Sequence, residues 1–202
     1  DVALPTEYAY KSKSEGGIWE EGDLRRDESI RYDFTYLGIT PTEVSWGADE
    51  LDPHIKKYED ERTDQFNGNL ANEWYSGKNF IVLRYADVLL CYAECLNELG
   101  ETGEANTVVN QVRARAWGGT LPNEMAWNYG QDEFRVQIMD ERIRELCFEG
   151  WRRMDLIRTG KFVELIKERN PWAKKSGTIK EFHMRWPIPD TEIKNNSDIS
   201  EE

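Results

Sequence analysis

The chain has 202 residues, with 39 acidic against 26 basic side chains, a net charge of −13 and a pI near 4.8. An acidic surface of this kind repels phosphate, which argues against nucleic acid and anionic membrane surfaces as partners. No apolar run reaches the roughly 20 residues needed to span a bilayer, and no basic segment followed by an apolar one opens the chain. The length suits one substantial domain or half of a larger one. The chain opens on Asp1 rather than Met, which we read as a mature or incomplete exported globular piece.

In chain order, residues 1–22 are polar and read as irregular. Residues 29–37 alternate, with Ile30, Tyr32, Phe34 and Tyr36 on one side, the period of a short strand and one arm of a hairpin. Between 38 and 78 Gly, Pro, Asn and Asp recur, so this stretch reads as a long excursion of the kind that often carries function. Residues 79–100, NFIVLRYADVLLCYAECLNELG, are the most informative part of the chain. Tyr85, Leu89, Tyr92, Leu96 and Leu99 recur at steps of four and three, while Arg84, Asp87, Glu94 and Glu98 follow similar steps on another face. The spacing predicts an amphipathic helix of about five turns, ended by Gly100. A second helix then carries Ala105, Val108, Val109, Val112 and Ala116 on its apolar face. Small residues at Ala93 and Ala105 let two antiparallel helices approach closely, as in tetratricopeptide-type pairs.

Residues 117–130, WGGTLPNEMAWNYG, form a second aromatic loop. A third helix is expected from about Asp132, whose side chain is placed to cap it. Its apolar positions are Val136, Met139, Ile143 and Leu146. After Gly150 another helical run covers 151–158, Thr159-Gly160 breaks it, and 162–167 adds a turn or two. Asn170-Pro171 ends that piece. The tail reads as loop and as the extended segment Trp186-Pro187-Ile188-Pro189. The chain thus divides into a loop-rich part with a short strand (1–78), a helical core (79–170) and an extended tail (171–202).

The candidates for chemistry are few. Cys91 and Cys95 sit one helical turn apart, but with Cys147, His54 and His183 scattered they make no strong metal pattern. They read as small side chains on a packed helix, and neither a metal nor a cofactor is expected. Arg142, Glu145 and Glu149 share a helix face, with Arg152 and Arg153 close behind. A carboxylate pair suggests acid–base cleavage of glycosides, whereas Glu and Arg at such spacings are commonly ion pairs. No nucleophile elbow, phosphate loop or metal-binding helix motif is present, so no residue is assigned a catalytic role.

Aromatic side chains are the better lead, with eight Trp and nine Tyr in the chain. Trp46, Trp74, Tyr75, Trp127 and Tyr129 lie in the loops, with Asn72, Asn79 and Asn128 beside them. Flat aromatic rings cover the apolar face of a sugar, and amides satisfy its hydroxyl rim. The alternative for each Trp is to plug a loop onto the core. Trp46, Trp74, Tyr75, Trp127, Tyr129 and Asn128 are therefore the candidate glycan contacts.

RYADVLLCYAECLNELG, NTVVNQVRARA, ERIRELCFEGWRRMDLIRTGKF and WPIPDTEI together resemble the carboxy-terminal region of the SusD/RagB family. GDLRRDESI is similar to that family's short Asp-x-Arg segment. The blocks run in the family's order from Gly22 to Ile193. The resemblance implies a mostly α-helical fold of tetratricopeptide-like antiparallel pairs, with long loops and one short hairpin or strand element. It further implies a non-catalytic glycan-binding lipoprotein on the extracellular face of the outer membrane, seated on a SusC-like TonB-dependent transporter. The lipidated amino-terminal cysteine and further helical pairs of that family are not in this chain, which reads as the last part of a longer protein. Two alternatives remain open: a helical-repeat scaffold for another protein, and a carboxylate-dependent glycan hydrolase. The blocks' shared charge pattern implies that Arg84, Asp87 and Glu94 meet Arg142, Glu145 and Glu149 across a helix interface as partly buried ion pairs, with Arg152 or Arg153 contributing.

Overall fold

The computed structural model describes residues 4–32, 53–59, 78–196 and 198. The fold is mostly helical. It comprises two compact units, Asp1–Asp155 and Leu156–Glu202, and the division falls within a helix.

The first unit holds α1 (Glu7–Tyr10), α2 (Arg25–Ser29), α3 (Tyr85–Glu98), α4 (Thr102–Ala116), α5 (Gln131–Glu145) and the first residues of α6 (Arg152–Arg158). Its strands are β1 (Ile30–Arg31) and β2 (His54–Ile55). They pair antiparallel, with Ile30 opposite Ile55 and Arg31 opposite His54. Of the expected strand over 29–37, only this start lies within the described residues.

α3 and α4 form the antiparallel pair that the apolar spacing predicts. Gly100 ends α3 with φ +85, a left-handed conformation that glycine adopts without a Cβ penalty. Its N–H donates to Asn97 O at 3.1 Å and that of Glu101 to Leu96 O at 2.9 Å, which closes a Schellman motif. Ala105, Val108, Val109, Val112 and Ala116 of α4 are all buried. The α3 stripe differs from the expected one. Leu96 is buried and Leu89 packs on the core, but Tyr85, Tyr92 and Leu99 are exposed. The buried row is instead Leu90, Ala93, Leu96 and Asn97, with Ala86 beside it. The face carrying the small Ala93 allows the closest approach to Ala105, so that face turns inward. Cys91 and Cys95 are consequently exposed rather than packed, and only Cys147 is buried.

α5 crosses this pair through Phe134 and Ile138. Val136, expected in the apolar row, is exposed, while Met139 and Leu146 are buried and Ile143 is partly so. Gly130 rather than Asp132 occupies the cap, and Asp132 takes the Arg135 guanidinium at 2.6 Å. The amino-terminal stretch is not irregular throughout. Ile18 and Trp19 are buried with Ile30 and Cys147 in a second core, and Trp19 donates its indole N–H to Ala9 O at 2.6 Å.

Asparagines on α4 hold the chain that leads into α5. Asn110 accepts from Trp127 N at 2.8 Å and donates to Trp127 O at 3.0 Å. One turn earlier, Asn106 engages both backbone groups of Tyr129 at 3.2 and 2.9 Å. Each amide acts as the neighbouring strand that this segment lacks. Trp127 is thereby turned into the core and Asn128 outward.

In the second unit, α7 (Phe162–Arg169) is followed at once by α8 (Pro171–Ser176), and α9 (Asp190–Asn195) comes after the extended prolines. The expected extended tail is thus partly helical. Asn170-Pro171 ends α7, but Asn170 Oδ1 also accepts from Trp172 N and Ala173 N, and Pro171 fills the first helical position. The pair that stops one helix starts the next.

Asn110→Ala strips both backbone groups of Trp127 of their partners. It is expected to lower unfolding free energy by about 1–3 kcal/mol, measured by urea denaturation. No change would mean that the 127–129 segment is held by side-chain packing alone.

Candidate functional site

The carboxy-terminal half of α5, ERIRE, places Glu141 and Glu145 one turn apart on one face. Both are fully buried. A buried carboxylate is costly unless cations and hydrogen bonds replace its water. Glu141 receives three arginines. Arg25 of α2 reaches it at 2.7 Å, Arg113 of α4 at 2.9 Å and Arg144 of α5 at 2.7 Å. Glu145 receives Arg25 at 3.0 Å, Arg84 at the start of α3 at 2.5 Å, and Arg115 of α4. Arg25 bridges the two carboxylates and is itself held by Asp23 through Nε at 2.9 Å and Nη2 at 2.7 Å. The Asp-x-Arg segment is therefore a fork clamped between helices.

The network extends outward. Glu20 takes Arg113 at 2.6 Å and Lys13 at 2.7 Å. Glu149 takes Arg84 at 2.8 Å and also Lys57. A second pairing lies along α5, where Arg142 bonds Asp87 at 2.9 Å and Asp155 at 2.8 Å. The expected ion pairs between the α3 and α5 faces are present, and Arg84 and Asp87 carry them. Arg152, expected to join these pairs, donates to the backbone carbonyl of Met139 at 3.1 Å. Lys57 also donates to Glu145 O and Cys147 O, and Tyr58 to Phe148 O at 3.2 Å. These donors satisfy carbonyls at the C-terminal end of α5, where cations are favoured.

Burial alone would raise the Glu141 pKa, but Arg25, Arg144 and Arg113 more than offset it and hold the carboxyl well below its ordinary value. Glu20 and Glu149 follow the same balance: desolvation raises each, and neighbouring cations bring each below normal. A proton donor for glycoside cleavage needs the opposite shift. These carboxylates stay ionised at neutral pH and act as anchors for cations.

Above the network lies a cleft of about 630 Å³. Arg84, Arg115, Lys57 and Glu145 line it with Tyr58 and Asn79, so it offers fixed donors, one amide and one aromatic ring. Trp127, by contrast, is in the core at 4% exposure, edge-on to Phe134 at 5.6 Å and beneath the Arg113 guanidinium at 5.3 Å. This corrects the expectation of a loop aromatic: the asparagine pairing fixes its backbone inward, and it presents no ring face to a sugar. Tyr129 is half-buried against it at 5.1 Å, and Asn128 is exposed. Trp46, Asn72, Trp74 and Tyr75 lie outside the described residues. Among the described residues no group of three or more His, Cys, Asp or Glu side chains is arranged to hold a metal, and no helix is long and apolar enough to cross a membrane. Sequence reasoning missed the site roles of Arg115, Lys57 and Tyr58.

The profile of the SusD family matches residues 6–202. The chain belongs to that family. It is 41% identical over 155 residues to a SusD-like protein of Formosa agariphila, covering 74% of this chain and 28% of that protein. It is 27% identical over 152 residues to the starch-binding protein SusD of Bacteroides thetaiotaomicron, covering 73% of this chain and 25% of that one. A crystal structure of a SusD homologue from Bacteroides thetaiotaomicron superposes with a TM-score of 0.66 at 25% identity, over 89% of this chain and 40% of that one. The chain therefore spans about a quarter of the length of these curated relatives.

The sign of the pH dependence follows from the depressed carboxylates. Each contributes stability that is complete above the unfolded glutamate value, about 4.3, and is lost as pH falls through the lower folded value. Unfolding free energy is expected to be level from neutrality to about pH 5 and to fall steeply below about pH 4. Glu141→Gln should be less stable at neutral pH and show a shallower acid slope. An unchanged slope would mean that Glu141 does not titrate with folding.

Proposed function

We propose that this protein binds an oligosaccharide or polysaccharide at the bacterial cell surface without chemistry, and delivers it to a SusC-like TonB-dependent transporter. Membership of the SusD family across residues 6–202 carries this reading, and the relative named as a starch-binding protein supports it. The protein acts on the extracellular face of the outer membrane, held there by an amino-terminal lipid. The depressed carboxylates favour binding over acid–base cleavage, because none of them offers a proton at neutral pH.

Ligand contact is assigned to the aromatics Trp46, Trp74 and Tyr75, with Tyr129 and Asn128 as flanking contacts. Rings of this kind cover the C–H face of a sugar, while amide and guanidinium donors meet its hydroxyls. Trp127 is left out of this set because it is core.

Affinity electrophoresis against a polysaccharide panel tests the proposal. Trp46→Ala or Trp74→Ala is expected to weaken retention without lowering the melting temperature. Trp127→Ala instead costs about 3–5 kcal/mol of stability. Retention unchanged in all variants would remove the aromatic site, and steady release of reducing ends by the purified protein would overturn binding without chemistry.

A further inference from the structure

The cleft above the carboxylate network keeps a positive rim in a chain whose net charge is −13. Its carboxylates Glu145 and Glu149 are closed to solvent, with side chains 0 and 4% exposed. The cations over them are open: Arg84 stands at 22%, Lys57 at 25% and Arg115 at 62%. Arg115 reaches Glu145 through Nη2 alone, so among the described residues the rest of its fork has no carboxylate to hold. Lys78 adds a fourth cation, placed by the carbonyls of Lys57 and Glu59 at 3.1 and 2.9 Å. On the acidic side, Asp27 is turned to Arg26 and Tyr32 at 3.1 and 3.0 Å, and Glu28 stands at the rim. What the cleft shows to water is mostly positive, and a cleft concentrates such a field.

The same cleft has the other parts of a sugar site. Leu24 and Ile81 are exposed apolar side chains on its wall. Tyr58 presents a ring that lies nearly parallel to that of Phe80, with 14° between planes and centroids 6.1 Å apart. Asn79 supplies an amide for hydroxyl groups. The volume of about 630 Å³ falls within the ~300–1,000 Å³ of small-molecule sites and suits a short stretch of glycan. We propose that this cleft takes an acidic sugar unit, with its carboxylate or sulfate group on Arg115, Arg84 and Lys57 and its C–H face on Tyr58. A planar guanidinium engages either oxyanion through two hydrogen bonds at once, which a neutral hydroxyl cannot match. This rests on the glycan-binding reading and names the class of glycan. It adds residues that the aromatic set of Trp46, Trp74 and Tyr75 does not contain.

Affinity electrophoresis with matched polymers tests it: dextran against dextran sulfate, and methyl-esterified pectin against polygalacturonate. Running at about 0.15 M salt limits long-range attraction, since the Debye length is then ~8 Å. The protein is expected to bind one acidic polymer at least about tenfold more tightly than its neutral counterpart, the scale of one charge-assisted contact. The pair that responds tells sulfate from carboxylate. Arg115→Gln and Lys78→Gln should each remove most of that preference at an unchanged melting temperature, because Glu145 keeps Arg25 and Arg84. Arg135→Gln deletes an equal charge beside Glu98 and Asp132 and should leave the preference intact. Equal loss in Arg135→Gln would mean that the attraction is diffuse, and would overturn a site in the cleft. Retention by the neutral polymers with no preference for either acidic one would overturn the acidic class and leave glycan binding standing. Retention by none of the four would also overturn the proposal, and the wider polysaccharide panel then decides the glycan-binding reading by itself.

Discussion

Glu141 and Glu145 sit one turn apart on a single helix, are fully buried, and each receives three guanidinium groups. The rest of the first unit is arranged around that constraint. The arginines come from α2, from the start of α3, from α4 and from α5 itself, so satisfying two carboxylates fixes four segments relative to one another. Apolar packing of Leu90, Val109 and Ile138 supplies the burial that favours compaction. It does not specify register to the same degree, since methyl groups tolerate small slips that a guanidinium fork does not. Net stabilisation from such a network is modest because desolvation opposes attraction. Its contribution here is geometric.

That geometry shapes the cleft. Its donors do not hang from flexible side chains on the surface, because Arg84 and Lys57 are already held against Glu145, Glu149 and the carbonyls that end α5. A surface held in this way loses little conformational entropy when a polar ligand arrives. The carboxylates serve the same end, because they fix the cations that line the cleft.

The helical pair was legible from residue spacing because α4 has one apolar face and one partner. Ala105 through Ala116 could be assigned to the core directly. α3 was harder, because it is apolar on two faces. Periodicity alone cannot say which row turns inward, and the small Ala93 decides it through the closeness of contact with α4. The carboxy-terminal half of α5 was hidden for a different reason. Charged residues on a helix ordinarily face water, so ERIRE reads as surface until partners on distant segments are known. Arg25 lies 116 residues from Glu141 along the chain. Trp127 was misplaced because its inward orientation depends on Asn106 and Asn110, which act as surrogate backbone from another helix. Asn170-Pro171 reads as a terminator, and the same chemistry that ends α7 begins α8.

The claim that carries most weight is that Arg25 locks α2 onto α5 through a buried, mutually dependent pairing. A double-mutant cycle between Arg25→Ala and Glu141→Ala, read by urea denaturation, tests it most directly. Either single substitution unbalances the buried network, although Glu141 keeps Arg113 and Arg144 and Arg25 keeps Asp23 and Glu145, and is expected to cost up to about 3–5 kcal/mol. The double variant should recover part of that loss, with a coupling energy of about 1–3 kcal/mol. Strictly additive losses, or single losses below about 0.5 kcal/mol, would contradict the account.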